Sequence, residues 1–250
     1  MTARAAAAFA LAAVAAGIAG HGTSASPRAG LAGQRELIGR SVEKRGVTAV
    51  QVGDPVGARV ALVVGVIHGD EPAGLRIMRA LKRRAPADAA ALQGTQLWVI
   101  DAVNPDGVSA HTRKNAHGVD LNRNFPYRWR DHVPPSSGYY PGPRPASEPE
   151  TRAVMAFVRR IQPDLSIWYH QPWGAVLACH GRPQVAVEYA KLVGMGTSCR
   201  GEGLRGTAIS WETHAVPGSG AFVVEMPPGV VTASSADRHA RAALTVAEGR

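Results

Sequence analysis

Two histidines and two glutamates stand where apolar runs give out in this chain. His68 and Glu71 fall in His68-Gly69-Asp70-Glu71, directly after the apolar residues 58–67. His170 closes Asp164-Leu165-Ser166-Ile167-Trp168-Tyr169-His170, and Glu225 closes Phe222-Val223-Val224-Glu225. Two imidazoles and one carboxylate are the ligand set of a catalytic zinc that keeps a coordination position open, and a further carboxylate nearby is what a general base requires. A His-x-x-Glu pair also arises by chance, and a histidine at a strand end is often only a hydrogen-bonded surface residue. The pair therefore gains weight from its company: Asn104-Pro105-Asp106-Gly107, Arg113-Lys114-Asn115, and Gly118-Val119-Asp120-Leu121-Asn122-Arg123-Asn124-Phe125-Pro126.

Groups so far apart in sequence meet only if a scaffold brings strand ends to one edge, as the carboxyl edge of an open α/β sheet does. Residues 47–52 form a short β-branched run. Residues 58–67 form a longer apolar one, as expected of a strand buried on both faces. Residues 95–101, 164–169 and 221–224 read as further strands. Residues 71–84 carry Leu75, Met78 and Leu81 at helical spacing and end in Lys82-Arg83-Arg84, cations suited to a helix C-terminus. Ser147-Glu148-Pro149-Glu150 has the form of a capping box, with Ser147 at the N-cap, ahead of the periodic Val154, Phe157, Val158 and Ile161. Residues 234–247 read as a closing helix. Strands alternating with helices point to an α/β fold with a largely parallel sheet. Residues 104–145 are dense in Gly, Pro, Asn and Ser, and so long a loop in a compact domain, with so many polar residues, points to function. Within it, Asp106 and Asp120 read as loop-shaping residues whose carboxylates bond nearby backbone.

At 250 residues, with 45% hydrophobic and 19% charged, the chain is not disordered and is long enough to bury a sizeable core. Its net charge is +9, from 28 Lys+Arg against 19 Asp+Glu. Only Lys44, Lys82, Lys114 and Lys191 are lysines, so 28 − 4 = 24 of the cations are arginine, a skew that GC-rich codons also produce. Basicity is thus weak evidence for a partner. The cations are scattered, with neither a recognition helix nor an aromatic-basic ribbon, and nucleic acid is not an expected partner. Arg4, the apolar residues 5–19 and Thr23-Ser24-Ala25 resemble a secretory leader, expected to span residues 1–25 and to be removed. Residues 26–35 then form a linker and 36–250 the catalytic domain. No stretch approaches the about 18 apolar residues of a membrane helix, so no stable membrane insertion is expected once the leader is gone. Export would place Cys179 and Cys199 where a disulfide persists; two buried free thiols are the alternative.

The motifs above occur in the order in which the zinc carboxypeptidase family, the carboxypeptidase A-like metallopeptidases, carries them, and the chain from about Glu36 onward resembles that family. The resemblance implies a mixed, largely parallel central sheet flanked by helices in a single domain. It also implies one Zn2+ per chain on His68, Glu71 and His170, with Glu225 as general base. It gives Arg113 the developing oxyanion and Asn122 and Arg123 the substrate's free carboxylate, where a guanidinium fork makes paired charge-assisted hydrogen bonds. One departure stands out. Family members commonly place a Tyr ahead of the segment matching Gly206-Thr207-Ala208-Ile209-Ser210-Trp211, whereas here the preceding residues are Gly203-Leu204-Arg205, so altered substrate capture is expected.

Within the family, His68-Gly69-Asp70-Glu71-Pro72-Ala73-Gly74 and Ala146-Ser147-Glu148-Pro149-Glu150-Thr151-Arg152 are most similar to the murein peptide amidases, which cut the γ-D-glutamyl–diaminopimelate amide of cell-wall peptides. That resemblance implies an exported or wall-associated hydrolase acting on murein peptides. A conventional carboxypeptidase releasing C-terminal L-residues is the alternative; for deciding between the two, Ile209 and Trp211 suggest apolar pocket walls, while Glu212 or His214 could read a second polar group. An aspartoacylase-like deacylase shares only the short opening motif. From another class, an inactive zinc-peptidase-like wall-binding protein is disfavoured by the carboxylate retained at Glu225.

Overall fold

The computed structural model describes residues 33–249 apart from 89, 91, 180, 181 and 202. The expected leader and residues 26–32 of the expected linker lie outside the described residues. A four-stranded parallel centre is built from β3 (Arg59–Val66), β4 (Thr95–Ala102), β5 (Leu165–His170) and β8 (Phe222–Glu225). On one side β1 (Gln34–Arg40) and β2 (Gly46–Gly53) add as an antiparallel hairpin against β4. On the other, β6 (Ala175–Leu177) runs antiparallel to β8 and carries β7 (Gly196–Ser198) at the edge. The order across this mixed eight-stranded sheet is β1-β2-β4-β3-β5-β8-β6-β7.

The uninterrupted apolar run of β3 has its reason in burial on both faces. Ala61 and Val63 pack into one cluster with α1 (Ala73–Arg84), α4 (Pro183–Val193) and α6 (Ala233–Glu248). Leu62 and Val64 pack into a second with α3 (Pro149–Ile161) and α5 (Ala208–Ala215). A strand covered on both sides has no polar face to show, which is why these segments read as continuous rather than alternating. Helix α1 meets β3 backbone to backbone: a Cβ on Gly74 would sit 1.7 Å from the Gly65 carbonyl oxygen. The loop that follows β3 is equally close to the short helix α2 (Pro105–Ala110), since a Cβ on Gly69 would lie 1.9 Å from the Gly107 carbonyl carbon. Any side chain there would push His68 and Glu71 away from the sheet edge.

Several elements differ from expectation. Strand β1 has no counterpart among the expected strands: it starts at Gln34, within residues 26–35 expected as a linker, and pairs through Gln34↔Gln51. Helix α3 takes Glu148 as its N-cap, without a side-chain cap bond. Ser147 is otherwise engaged: its Oγ accepts from Asn124 Nδ2 at 2.9 Å and donates to Glu148 Oε1 at 2.7 Å. Glu150 does not reach back either, because it accepts from Val42 N and Asn115 Nδ2. Helices α4 and α5 and the two short strands β6 and β7 have no counterpart in the periodicity reading. Residues 104–145 are largely irregular, as expected, holding α2 and a 3-10 turn at Leu121–Arg123. No helix among the described residues is long and apolar enough to cross a membrane.

Candidate active site

Because β3, β5 and β8 run parallel, their carboxyl ends share one edge, and the candidate residues gather there. His170 and Glu225 are register partners on β5 and β8, and His68 follows β3 two residues beyond Val66. His68 Nδ1 lies 2.9 Å from Glu71 Oε1, His170 Nδ1 lies 2.9 Å from Glu71 Oε2, and the two Nδ1 atoms are 3.2 Å apart. Donors coordinated to one tetrahedral zinc are about 3.4 Å from one another, so this buried trio has close to the spacing such an ion needs. Two imidazoles and one carboxylate also leave a coordination position free, so the donor set fits a catalytic rather than a structural zinc. These three residues would hold it.

Around the trio, hydrogen bonds fix each donor. His68 Nε2 faces Asp120 Oδ1 at 3.0 Å, which aims Nδ1 at the cluster. Glu71 Oε2 also accepts from the Gln171 backbone N–H, and the Gln171 side chain ties Ala73 N to the Pro227 and Gly229 carbonyls. Asp120 accepts from Asn122 N at 2.9 Å, the loop-shaping bond expected of it, and its Oδ2 also takes both Nε and Nη2 of Arg113 at 3.0 and 2.9 Å. It therefore orients His68 and Arg113 together, a role the motif reading passed over; its place two residues before Asn122 in the same motif was the available signal. Asp106 lies in the first turn of α2 and shapes the turn between β1 and β2, accepting from Ser41 Oγ, Glu43 N and Arg45 Nη1. Burial alone would raise the carboxyls of Glu71 and Asp120, but His170 and His68 around the first, and His68 and Arg113 around the second, hold both well below the usual carboxylate range.

Arg113 reaches from Asp120 toward the trio, with Nη1 at 3.2 Å from both Glu71 Oε1 and His68 Nδ1. Asn122 Nδ2 is 3.4 Å from His170 Nε2, while its Oδ1 accepts from Ala208 N and so fixes the start of α5. Arg123 Nη1 donates to the Asn122 carbonyl. Burial pushes the Arg123 guanidinium below its ordinary value, as does the like charge of Arg113, with Asp120 opposing. Glu225 Oε2 is buried without a hydrogen-bond partner. Burial pushes the Glu225 carboxyl above its usual range, against the pull of His170 and with the help of the Glu71 charge.

His68, Glu71, Arg113, Asn122, Arg123, His170 and Glu225 all line one cavity of about 670 Å3. Trp168, Leu177, Ile209 and Val223 give it an apolar side, and Trp173 and Leu204 stand at another. Ile209 is thus placed as expected. Trp211 is not; it is buried against Phe125. Glu212 is fully buried, accepting from Trp168 Nε1 and Ser219 Oγ, and His214 stacks on Tyr127, so neither reads a substrate group in the cavity. Tyr139 and Trp173 line the cavity without having been singled out, since an isolated aromatic in a loop has no periodicity to mark it. Cys179 and Cys199 form a disulfide, Cα to Cα 5.3 Å, that ties the ends of β6 and β7 together.

A sequence model of the zinc carboxypeptidase family matches residues 34–191. Murein peptide amidase A of Escherichia coli K12 is 36% identical over 140 residues, 49% of this chain and 52% of that protein. Carboxypeptidase SOL1 of Arabidopsis thaliana is 30% identical over 155 residues, 56% of this chain and 29% of that one. The chain thus aligns with about half the length of the murein amidase and less of the plant protein. Among solved structures, murein-tripeptide amidase MpaA from Escherichia coli O157 superposes with a TM-score of 0.67 at 24% identity, covering 90% of this chain and 97% of that one. Bovine thrombin-activatable fibrinolysis inhibitor, in complex with tick carboxypeptidase inhibitor, gives a TM-score of 0.75 at 19% identity, covering 86% and 88%. Both structures share the fold described above.

Proposed function

The chain belongs to the zinc carboxypeptidase family, and from that premise we propose that it is a secreted, single-domain zinc hydrolase cutting an amide bond next to a free carboxylate, foremost γ-D-glutamyl–diaminopimelate in murein peptides. The observation that carries this reading is the gathering of a His-Glu-His trio, an unpartnered Glu225 oxygen and two arginines on one cavity. The similarity to murein peptide amidase A supports the choice of substrate.

His68, Glu71 and His170 would hold the Zn2+, which when bound would supply a Lewis acid for the scissile carbonyl and a lowered pKa for water. Glu225, which lines the cavity and has an unpartnered Oε2, takes the proton from the attacking water and delivers it to the leaving amine, a transfer that contributes about 10²- to 10⁴-fold. Arg113, held by Asp120, stabilises the negative charge that develops on the carbonyl oxygen. Arg123, with Asn122 beside it, binds the carboxylate adjacent to the scissile bond, a group that diaminopimelate keeps free. The burial that raises the Glu225 carboxyl above its usual range makes it a better proton acceptor than a solvated glutamate.

A second reading, release of C-terminal L-residues, is favoured by the apolar side of Trp168, Leu177, Ile209 and Val223. Mass-spectrometric product analysis of the zinc-loaded protein separates the two. L-Ala-γ-D-Glu-diaminopimelate and blocked L-dipeptides are supplied in turn, each with and without a chelator. Chelator-sensitive release of diaminopimelate is the expected result, whereas release of L-residues alone would establish the second reading. Zinc binding with no cleavage on either panel would leave an inactive binding protein.

A further inference from the structure

The ring of Tyr139 carries two guanidiniums: Arg113 Cζ lies 5.1 Å and Arg123 Cζ 5.6 Å from its centroid. We propose, on the reading of the site given above, that Tyr139 is a positioning residue which holds Arg113 and Arg123 side by side for the free carboxylate and the carbonyl oxygen of the substrate. Two like-charged side chains on one cavity wall repel, and each has many rotamers to escape into. The Asp120 charge offsets the repulsion for both, but it hydrogen-bonds Arg113 alone, through Nε and Nη2, and among the described residues the Arg123 guanidinium donates only to the Asn122 carbonyl. The negative face of one aromatic ring attracts both cations and supplies the missing restraint.

The location of Tyr139 fits this role and no packing role. It lines the cavity, is 54% exposed, and its hydroxyl makes no protein hydrogen bond among the described residues. Its turn is instead fastened to the two segments that bear the arginines. Tyr139 N donates to Ser137 Oγ, and Lys114, the neighbour of Arg113, donates from Nζ to the Ser137 and Pro135 carbonyls. Asp120 N donates to the Tyr140 carbonyl at 2.8 Å, tying the same turn to the motif of Arg123. The ring and both guanidiniums are thereby held to a common frame.

Calorimetry on zinc-loaded protein in a Glu225→Gln background tests the assignment without turnover. The ligands are L-Ala-γ-D-Glu-diaminopimelate and a blocked L-dipeptide, each as the free acid and as the carboxamide at the carboxylate beside the scissile bond. Tyr139→Leu, melting at the same temperature as its parent, should reduce free-acid affinity about tenfold and leave carboxamide affinity nearly unchanged, so the preference for acid collapses. Tyr139→Phe keeps the ring and should keep the preference. A Tyr139→Leu protein with undiminished preference overturns the proposal alone, as does a Phe variant that loses as much as the Leu variant, which would assign the effect to the hydroxyl. Failure of the Tyr139 parent to bind any of the ligands would overturn the functional reading and this inference together.

Discussion

Replacing Asp120 by Asn removes the charge that faces both the His68 imidazole at 3.0 Å and the Arg113 guanidinium at 2.9 Å, while leaving the side chain's shape. Groups that orient a metal-binding histidine through its far nitrogen are worth about 10- to 100-fold in metal affinity, so Asp120→Asn should weaken zinc binding by that range in a competition titration. An unchanged affinity would mean that the Asp120 charge does not support His68 as a ligand. Glu225 stands at the opposite extreme, with one buried oxygen and no partner for it. Glu225→Gln should therefore retain stoichiometric zinc by elemental analysis and lose at least a hundredfold in kcat. Substantial activity in that variant would remove Glu225 from the reaction. Both residues differ in how far sequence revealed them. Glu225 ends an apolar strand, a position with chemical meaning, whereas the double duty of Asp120 depends on two groups, one of them 52 positions away, and no local pattern encodes that.

Strand β5 shows how an element is positioned from both faces. Trp168 and His170 look toward the cavity, and the alternating Tyr169 looks the other way, where its hydroxyl meets Tyr189 on α4 at 2.7 Å and Tyr189 meets His239 Nδ1 on α6 at 2.7 Å. Burial pushes the His239 imidazole down to about 4, aided by the charge of Arg238, so its neutral form belongs to the folded state. The unfolded chain, with a histidine near 6.5, binds more protons between the two values, and stability therefore falls as pH drops from about 6.5 to 4, by at most about 3 kcal/mol. Urea unfolding should show the wild-type advantage over His239→Gln shrinking across that window; parallel pH profiles would refute the buried neutral state. At the sheet's far side the Cys179–Cys199 bridge closes a separation of 20 residues around α4, a loop size whose closure is worth about 3 kcal/mol. The Cys179→Ser/Cys199→Ser protein should lose stability of that order by denaturant unfolding, and its KM should rise because Gly201 and Leu204 of the adjoining segment wall the cavity. Equal KM values would separate the bridge from substrate binding. The central strands were legible because burial on both faces leaves long apolar runs. Strands β6 and β7 are three residues each, and α5 contributes Ala208 and Ile209 to the cavity while burying Trp211 and Glu212, so no single periodic stripe announces it.

Over the whole molecule, the parallel centre of the sheet and the surrounding loops divide the work. The trio and Glu225 sit at the ends of β3, β5 and β8, strands whose side chains are locked between two layers of helices. Beyond the apolar side supplied by β5, β6, β8 and α5, the cavity's walls come from segments of little regular structure: the turn of Tyr139, Trp173 with the stretch holding Gly201 and Leu204, and Pro228 to Val230. These segments carry no pairing of the four central strands, yet they are fastened to the reacting groups by single hydrogen bonds, Gln171 joining Glu71 to the Pro227 and Gly229 carbonyls and Asp120 N joining the Tyr140 carbonyl. Recognition is thus carried largely where the chain has least regular structure and reaction where it is held from two sides, with Gln171 as a joint through which a change in one is felt by the other.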